Sequence, residues 1–170
     1  EVPINWAYDP DSLIVPGTLF GYDESGYIES DFLAPGYGYW IRSFGDGDIS
    51  LSIVWNENVS HLLVLEKKNT DLNTISINGK TLYFGDSILS EKEKLSFSLP
   101  PKPPFGGKDI RFFGDTKLCT AEECLIEVMN NGSPLTIECE IKDSENWQLV
   151  PVIANQVQPD EAIYLTNENQ

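Results

Sequence analysis

Three cysteines, one histidine and a large surplus of carboxylates are the residues of this chain best equipped for chemistry. Cys119, Cys124 and Cys139 are an odd set, so at least one stays free or pairs with another chain. Cys119 and Cys124 could close the short Thr-Ala-Glu-Glu loop between them. Cys124 and Cys139 could instead meet across a hairpin over 124–141, where a hydrogen-bonded pair sets Cα atoms about 5.5 Å apart, within disulfide reach. A zinc site needs a fourth ligand, and the lone His61 is far away in sequence. His61 itself opens the apolar run His61–Leu65, where a histidine satisfied by backbone is the ordinary occupant. Neither a Gly-x-Ser-x-Gly elbow nor a metalloprotease helix accompanies it. The 27 Asp and Glu residues show no spacing that singles out a glycosidase dyad. No catalytic residue is assigned, and the chain is expected not to be an enzyme.

Asp46 and Asp48, in the turn Gly45-Asp46-Gly47-Asp48, are candidate calcium ligands, and Asp23-Glu24 is a second pair of loop carboxylates. Neither fits the twelve-residue loop closed by a bidentate glutamate, and Asp and Gly are also ordinary turn formers. No other cofactor is expected. Aromatic side chains are the remaining functional candidates: Trp6, Tyr8, Tyr37, Tyr39 and Trp40 crowd the first forty residues, and Trp55 follows. In an extended segment Tyr37, Tyr39 and Ile41 share one face. Rings of this kind fill cores and subunit interfaces, and exposed ones stack on sugars.

The elements that must position these residues are short strands. A chain of 170 residues with 41% hydrophobic residues is long enough to bury a core in one medium domain or two small ones. Thirteen glycines and eleven prolines among short apolar runs imply many turns. Strands are expected over Leu19–Tyr22 and Tyr27–Ser30, over Tyr39–Arg42, and through Ile49, Leu51, Ile53 and Trp55 by alternation. Asn78-Gly79 predicts a two-residue hairpin with Ile75 opposite Leu82 and Thr74 opposite Tyr83. Leu95, Phe97 and Leu99 alternate into a proline run that must leave the sheet, Ile110 and Phe112 resume a strand, and Leu89–Leu95 offers at most one helical turn. Asn131-Gly132 predicts a second hairpin pairing Val128 with Leu135, Ile126 with Ile137 and Cys124 with Cys139. The polar stretch Glu66–Asn73 divides an N-terminal module, 1–68, from a C-terminal module, 69–170. The fold class is all-β, antiparallel and sandwich-like, as one elongated or two small modules.

A net charge of −16 is high for this length and argues against nucleic acid and anionic membrane as partners, since both would repel it. No stretch is apolar for long enough to span a bilayer as a helix, and no basic leader with an apolar core precedes Glu1.

Two glycine- and proline-rich stretches carry a family resemblance. Leu33-Ala-Pro-Gly-Tyr-Gly-Tyr-Trp-Ile41 resembles an L-x-P-G-x-G-Y-W-I/V signature of β-modules in large secreted and cell-surface bacterial proteins. Thr81-Leu-Tyr-Phe-Gly85, followed by Leu99-Pro-Pro-Lys-Pro-Pro-Phe-Gly-Gly-Lys-Asp-Ile-Arg-Phe112 and Pro134-Leu-Thr-Ile137, resembles a second pattern found near the C-terminal end of such proteins, before fibronectin-like repeats or a secretion-sorting domain. The resemblance implies an extracellular setting, secreted or at the cell surface, and carries no catalytic residues. A Gly-Trp-Asn strand that usually precedes the first signature is altered or missing here, and a sheet lacking one strand offers its edge to another chain. The expected function is a non-catalytic structural module of a surface protein or filament, assembling with copies of itself or with other parts of the parent protein. The alternative is a carbohydrate-binding module with an aromatic platform, assisted by calcium.

Overall fold

The computed structural model describes residues 13–31, 33–34, 36–49, 72–85, 88–104, 106–142, 145–152 and 161–167. Among them the chain is all-β with one short helix. The readings of Trp6, Tyr8, Trp55 and His61, most of the strand expected over 49–55, and the boundary at 68–69 lie outside the described residues.

The first hairpin pairs β1 (Phe20–Asp23) with β2 (Gly26–Glu29), Tyr22 opposite Tyr27, close to the expected positions. Its turn is held by Asp23, whose Oδ1 accepts from the Ser25 N–H at 2.6 Å and from its hydroxyl at 2.7 Å. These bonds keep the exposed Asp23 carboxyl below its usual range. Gly26 follows with φ +97°, and a Cβ there would come within 2.2 Å of the Lys108 carbonyl oxygen, so the site admits only glycine.

β3 (Asn73–Ile77) and β4 (Lys80–Phe84) form the Asn78-Gly79 hairpin in the expected register, Ile75 opposite Leu82 and Thr74 opposite Tyr83. Both turn residues have positive φ, as a type I′ turn requires. The remaining strands are β5 (Asp109–Phe112), β6 (Leu118–Cys119), β7 (Glu123–Met129), β8 (Ile137–Glu140), β9 (Trp147–Val152) and β10 (Glu161–Asn167). One sheet has the order β5-β7-β10-β9, and the other β6-β4-β3-β8. All pairings are antiparallel except β4 with β6. Ile75, Ile77, Leu82 and Phe84 of one sheet share a single core with Ile110, Phe112, Ile126, Val128 and Leu165 of the other. Each such side chain contributes about 1.5–3 kcal/mol by leaving water. Trp147 of β9 meets Phe84 of β4 edge-on, with ring centroids 4.9 Å apart.

Two expectations are corrected. Asn131 and Gly132 do reverse the chain in left-handed conformations, but β7 and β8 do not pair with each other. β7 lies between β5 and β10, while β8 crosses to β3, with Ile75 opposite Cys139 and Ile77 opposite Ile137. Polar side chains of β3 and its turn fix this crossing. The Asn78 N–H donates to the Thr136 carbonyl at 2.9 Å, and Asn78 Oδ1 accepts from the Thr136 N–H at 2.8 Å. At the other end, Asn73 Oδ1 accepts from the Lys142 N–H at 2.7 Å. Pro134 sits in the crossing segment, where its missing N–H breaks no ladder.

The second correction concerns Leu95–Leu99, which is not a strand. Helix α1 (Glu91–Lys94) runs into one 3-10 turn, Leu95–Phe97, and only Ser98 bridges to Thr116. Ser90 caps α1 in a reciprocal box with Glu93: the Ser90 hydroxyl accepts from the Glu93 N–H, and the Glu93 carboxylate accepts from the Ser90 N–H at 3.0 Å.

The hairpin β1–β2 is fastened to the later chain. Tyr27 donates its phenol to the Pro101 carbonyl at 2.9 Å, Lys80 Nζ donates to the Tyr27 carbonyl at 2.5 Å, and Lys117 pairs with Glu29.

Candidate functional site

The end of the first signature and the residues that follow it, 40–44, are held against residues 13–20 by main-chain bonds. Phe44 N–H donates to Leu13 O at 2.7 Å, Val15 N–H to Arg42 O at 2.9 Å, and Phe20 and Trp40 exchange a reciprocal pair. Between those anchors the 16–19 segment is longer than the facing stretch and loops out through Pro16-Gly17, with Gly17 at φ +73°. Thr18, 2% exposed, closes the loop: its hydroxyl donates to Val15 O at 2.6 Å and accepts from the Arg42 N–H at 3.2 Å. Tyr39–Arg42 is thus a bridged segment and not a full strand, because only Trp40 and Ser43 keep paired positions.

This backbone sorts the aromatic candidates. Tyr39 turns inward; its phenol oxygen accepts from the Ala34 N–H at 2.9 Å, and its ring lies where a Cβ on Gly21 would approach to 3.3 Å. Tyr37 and Trp40 stay 72% and 52% exposed. The shared face expected for Tyr37, Tyr39 and Ile41 is therefore divided between the interior and solvent.

The second signature supplies the opposite wall. Trp40, Ile41 and Arg42 face Leu99, Pro100 and Pro101 across a cleft of about 250 Å³. Proline cannot donate hydrogen bonds, so this wall is fixed through its carbonyls and one amide. Leu99 N–H donates to Asp115 O at 2.8 Å, Pro101 O accepts from Tyr27, and Pro100 O accepts from Arg111 Nη1 at 2.7 Å. Arg111 is fully buried beneath the wall. Its Nε donates to the Asp109 carboxylate and its Nη1 to Asp115 Oδ1 at 2.6 Å. Burial alone would lower the guanidinium pKa, but the hydrogen bonds and charges of Asp109 and Asp115 more than reverse that, and the pKa is raised. The Asp-x-Arg-Phe part of the signature is thus a buried clamp that stiffens the proline wall.

The cleft offers apolar faces, the Ser98 hydroxyl and one guanidinium, groups suited to packing against a surface or a ring. Its far wall went unnoticed in the sequence, although the proline run that forms it was conspicuous. Trp40 and the prolines are sixty residues apart, and no local pattern links them.

Cys119 and Cys124 form the disulfide, closing the short loop between β6 and β7. Cys139 is an exposed free thiol on β8, and partial burial pushes its pKa up. The alternative Cys124–Cys139 pair does not form because β8 lies in the other sheet. Asp46 and Asp48 are exposed, and among the described residues no three His, Cys, Asp or Glu side chains gather as a metal site would require.

Compared with protein-family models, curated proteins and solved structures, the chain matches none.

Proposed function

We propose that this chain is a non-catalytic extracellular module of a bacterial surface protein or filament, and that it meets a second copy of itself through the Trp40 cleft. One observation carries the reading. The two signatures, far apart in sequence, line the same solvent-open cleft, and one of them is braced there by a buried ion cluster. A stiff proline wall and a half-exposed aromatic ring lose little freedom on contact, which favours them as anchors. Among the described residues β8 ends its sheet, and a sheet edge offers main-chain groups that a neighbouring strand can pair with. The resemblance of both signatures to modules of secreted and cell-surface proteins supports the setting. The net charge of −16 makes copies repel, so the contact should tighten as salt screens that field.

Light scattering during size exclusion, over a range of concentration and salt, tests the reading. Species well above 19.0 kDa that grow with ionic strength support it. A monomer under every condition rules out self-assembly.

A second reading, carbohydrate binding, is favoured by Arg42 and the Ser98 hydroxyl in the same cleft as the Trp40 ring. A monomer whose tryptophan fluorescence shifts on adding a neutral oligosaccharide would support that reading over the first.

A further inference from the structure

The chain has only 11 Lys and Arg residues, yet three of the lysines line one trough. Lys80, Lys108 and Lys117 flank a cleft of about 310 Å³ where hairpin β1–β2 lies over β4 and β5. The cleft continues past Gly79, Lys80, Lys108 and Asp109 into a second one of about 330 Å³, toward Ser25 and Asn130. Together they have the size of a site for a short ligand.

The carboxylates of the trough are already engaged. Glu29 pairs with Lys117, and Asp109 is held by Arg111. Lys80 donates to the Tyr27 carbonyl and makes no ion pair among the described residues. Lys108 is exposed and makes no ion pair among the described residues. Asp23, hydrogen-bonded to Ser25, keeps its negative charge and is attracted to both lysines without pairing with either. The trough therefore presents two ammonium groups, neither in contact with a carboxylate among the described residues and both offset only by the single charge of Asp23, in a chain that is otherwise strongly acidic.

The main chain adds a donor and an acceptor. The Phe113 N–H bonds to Leu125 O, so the odd residues of β5 face β7 and the even ones face away. Phe112 spends its outward N–H on Thr116 O, and the Lys108 carbonyl is abutted by Gly26. Among the described residues only Ile110 is left facing the trough, one peptide unit with its neighbours blocked. A peptide strand needs a longer free edge than this, whereas a small polyhydroxylated anion does not. The Thr81 hydroxyl and the Tyr27 and Tyr83 side chains in the same trough suit a sugar ring.

We infer that the trough binds a short carboxylate-bearing oligosaccharide of the uronic acid type, with Lys80 and Lys108 meeting the carboxylate. The trough adjoins the Trp40 cleft, with Phe20 and Leu99 lining both, but its lysines lie outside that cleft and the proposal does not depend on the assembly reading. Isothermal titration calorimetry of the full chain at low salt, with trigalacturonic acid as probe and a neutral galactose trimer, acetate and a triglutamate peptide as comparisons, tests it. Trigalacturonic acid should bind the full chain and the neutral trimer should not. Lys108→Gln should weaken binding about tenfold or more, and Lys108→Arg should restore most of it. Trp40→Ala should leave it unchanged. Thermal melts confirm that the lysine variants remain folded, since among the described residues the exposed Lys108 side chain makes no hydrogen bond that its loss would break. Absence of trigalacturonate binding, or binding equal in Lys108→Gln, overturns the proposal. Equal binding of acetate or the triglutamate peptide also overturns it, because the trough would then read charge and not a sugar.

Discussion

Phe20 and Trp40 exchange both main-chain hydrogen bonds, at 2.9 and 2.8 Å, yet one side chain is 3% exposed and the other 52%. Residues opposed in this way project from the same face. Phe20 turns into the protein, edge-on to Tyr27 at 6.4 Å, while Trp40 remains over the cleft. Phe20→Ala should therefore cost about 3–5 kcal/mol in urea unfolding. Trp40→Ala should cost no more than about 1 kcal/mol, in line with a residue kept for contact and not for stability. Equal losses from the two would contradict that division.

Arg111 tests whether the second signature is architectural. Arg111→Ala leaves Asp109 buried without its counter-charge and frees the Pro100 carbonyl, so a loss of about 3–5 kcal/mol is expected. Replacing the pair together, Arg111→Met with Asp109→Leu, should recover much of that stability, because neither charge is then stranded. Arg111→Lys should fall between, since an ammonium cannot reproduce the guanidinium fork. Urea denaturation of the three variants measures the order.

Asn78 joins the β3–β4 turn to the start of β8. Asn78→Ala gives up a side-chain bond to Thr136 and a left-handed residue that favours asparagine, an expected cost of about 1–2 kcal/mol. Hydrogen exchange at Thr136 should accelerate more than at Ile126, which lies in the other sheet. Uniform acceleration would mean that Asn78 acts on global stability alone.

The sequence was most legible where the signal is local. Alternation on either side of Asn78-Gly79 defined that hairpin to the residue, because turn type sets register. The same reasoning failed at Asn131-Gly132. A reversal and two alternating segments do not say whether the segments pair with each other, and here Asn78 and Asn73 draw β8 to the other sheet. Leu95–Leu99 has a strand's period, yet Ser90 and Glu93 three residues apart form a capping box, and the local helix start prevailed. Arg111, between Ile110 and Phe112, carries no local signal that it is buried. Only the fold shows that the proline run covers it. The Trp40 cleft was invisible for the same reason, since its two walls meet through tertiary contact alone.

The cysteines give a chemical prediction. Under native conditions one thiol per chain, Cys139, should react with a thiol reagent, more slowly than a free cysteine at neutral pH because its raised pKa keeps it protonated. The rate should climb as the pH approaches that pKa. Reducing Cys119–Cys124 should lower stability by about 2 kcal/mol, the modest value expected for so short a loop. Two or more reactive thiols in the native, unreduced chain would contradict the disulfide assignment.

The central claim is that the Trp40 cleft is where copies meet. The most direct test is the light-scattering mass of Trp40→Ala beside the parent chain at equal concentration and high salt, with circular dichroism showing both folded. The account predicts a parent mass well above 19.0 kDa and a variant that runs as the monomer. Equal masses, whether both assembled or both monomeric, would contradict it.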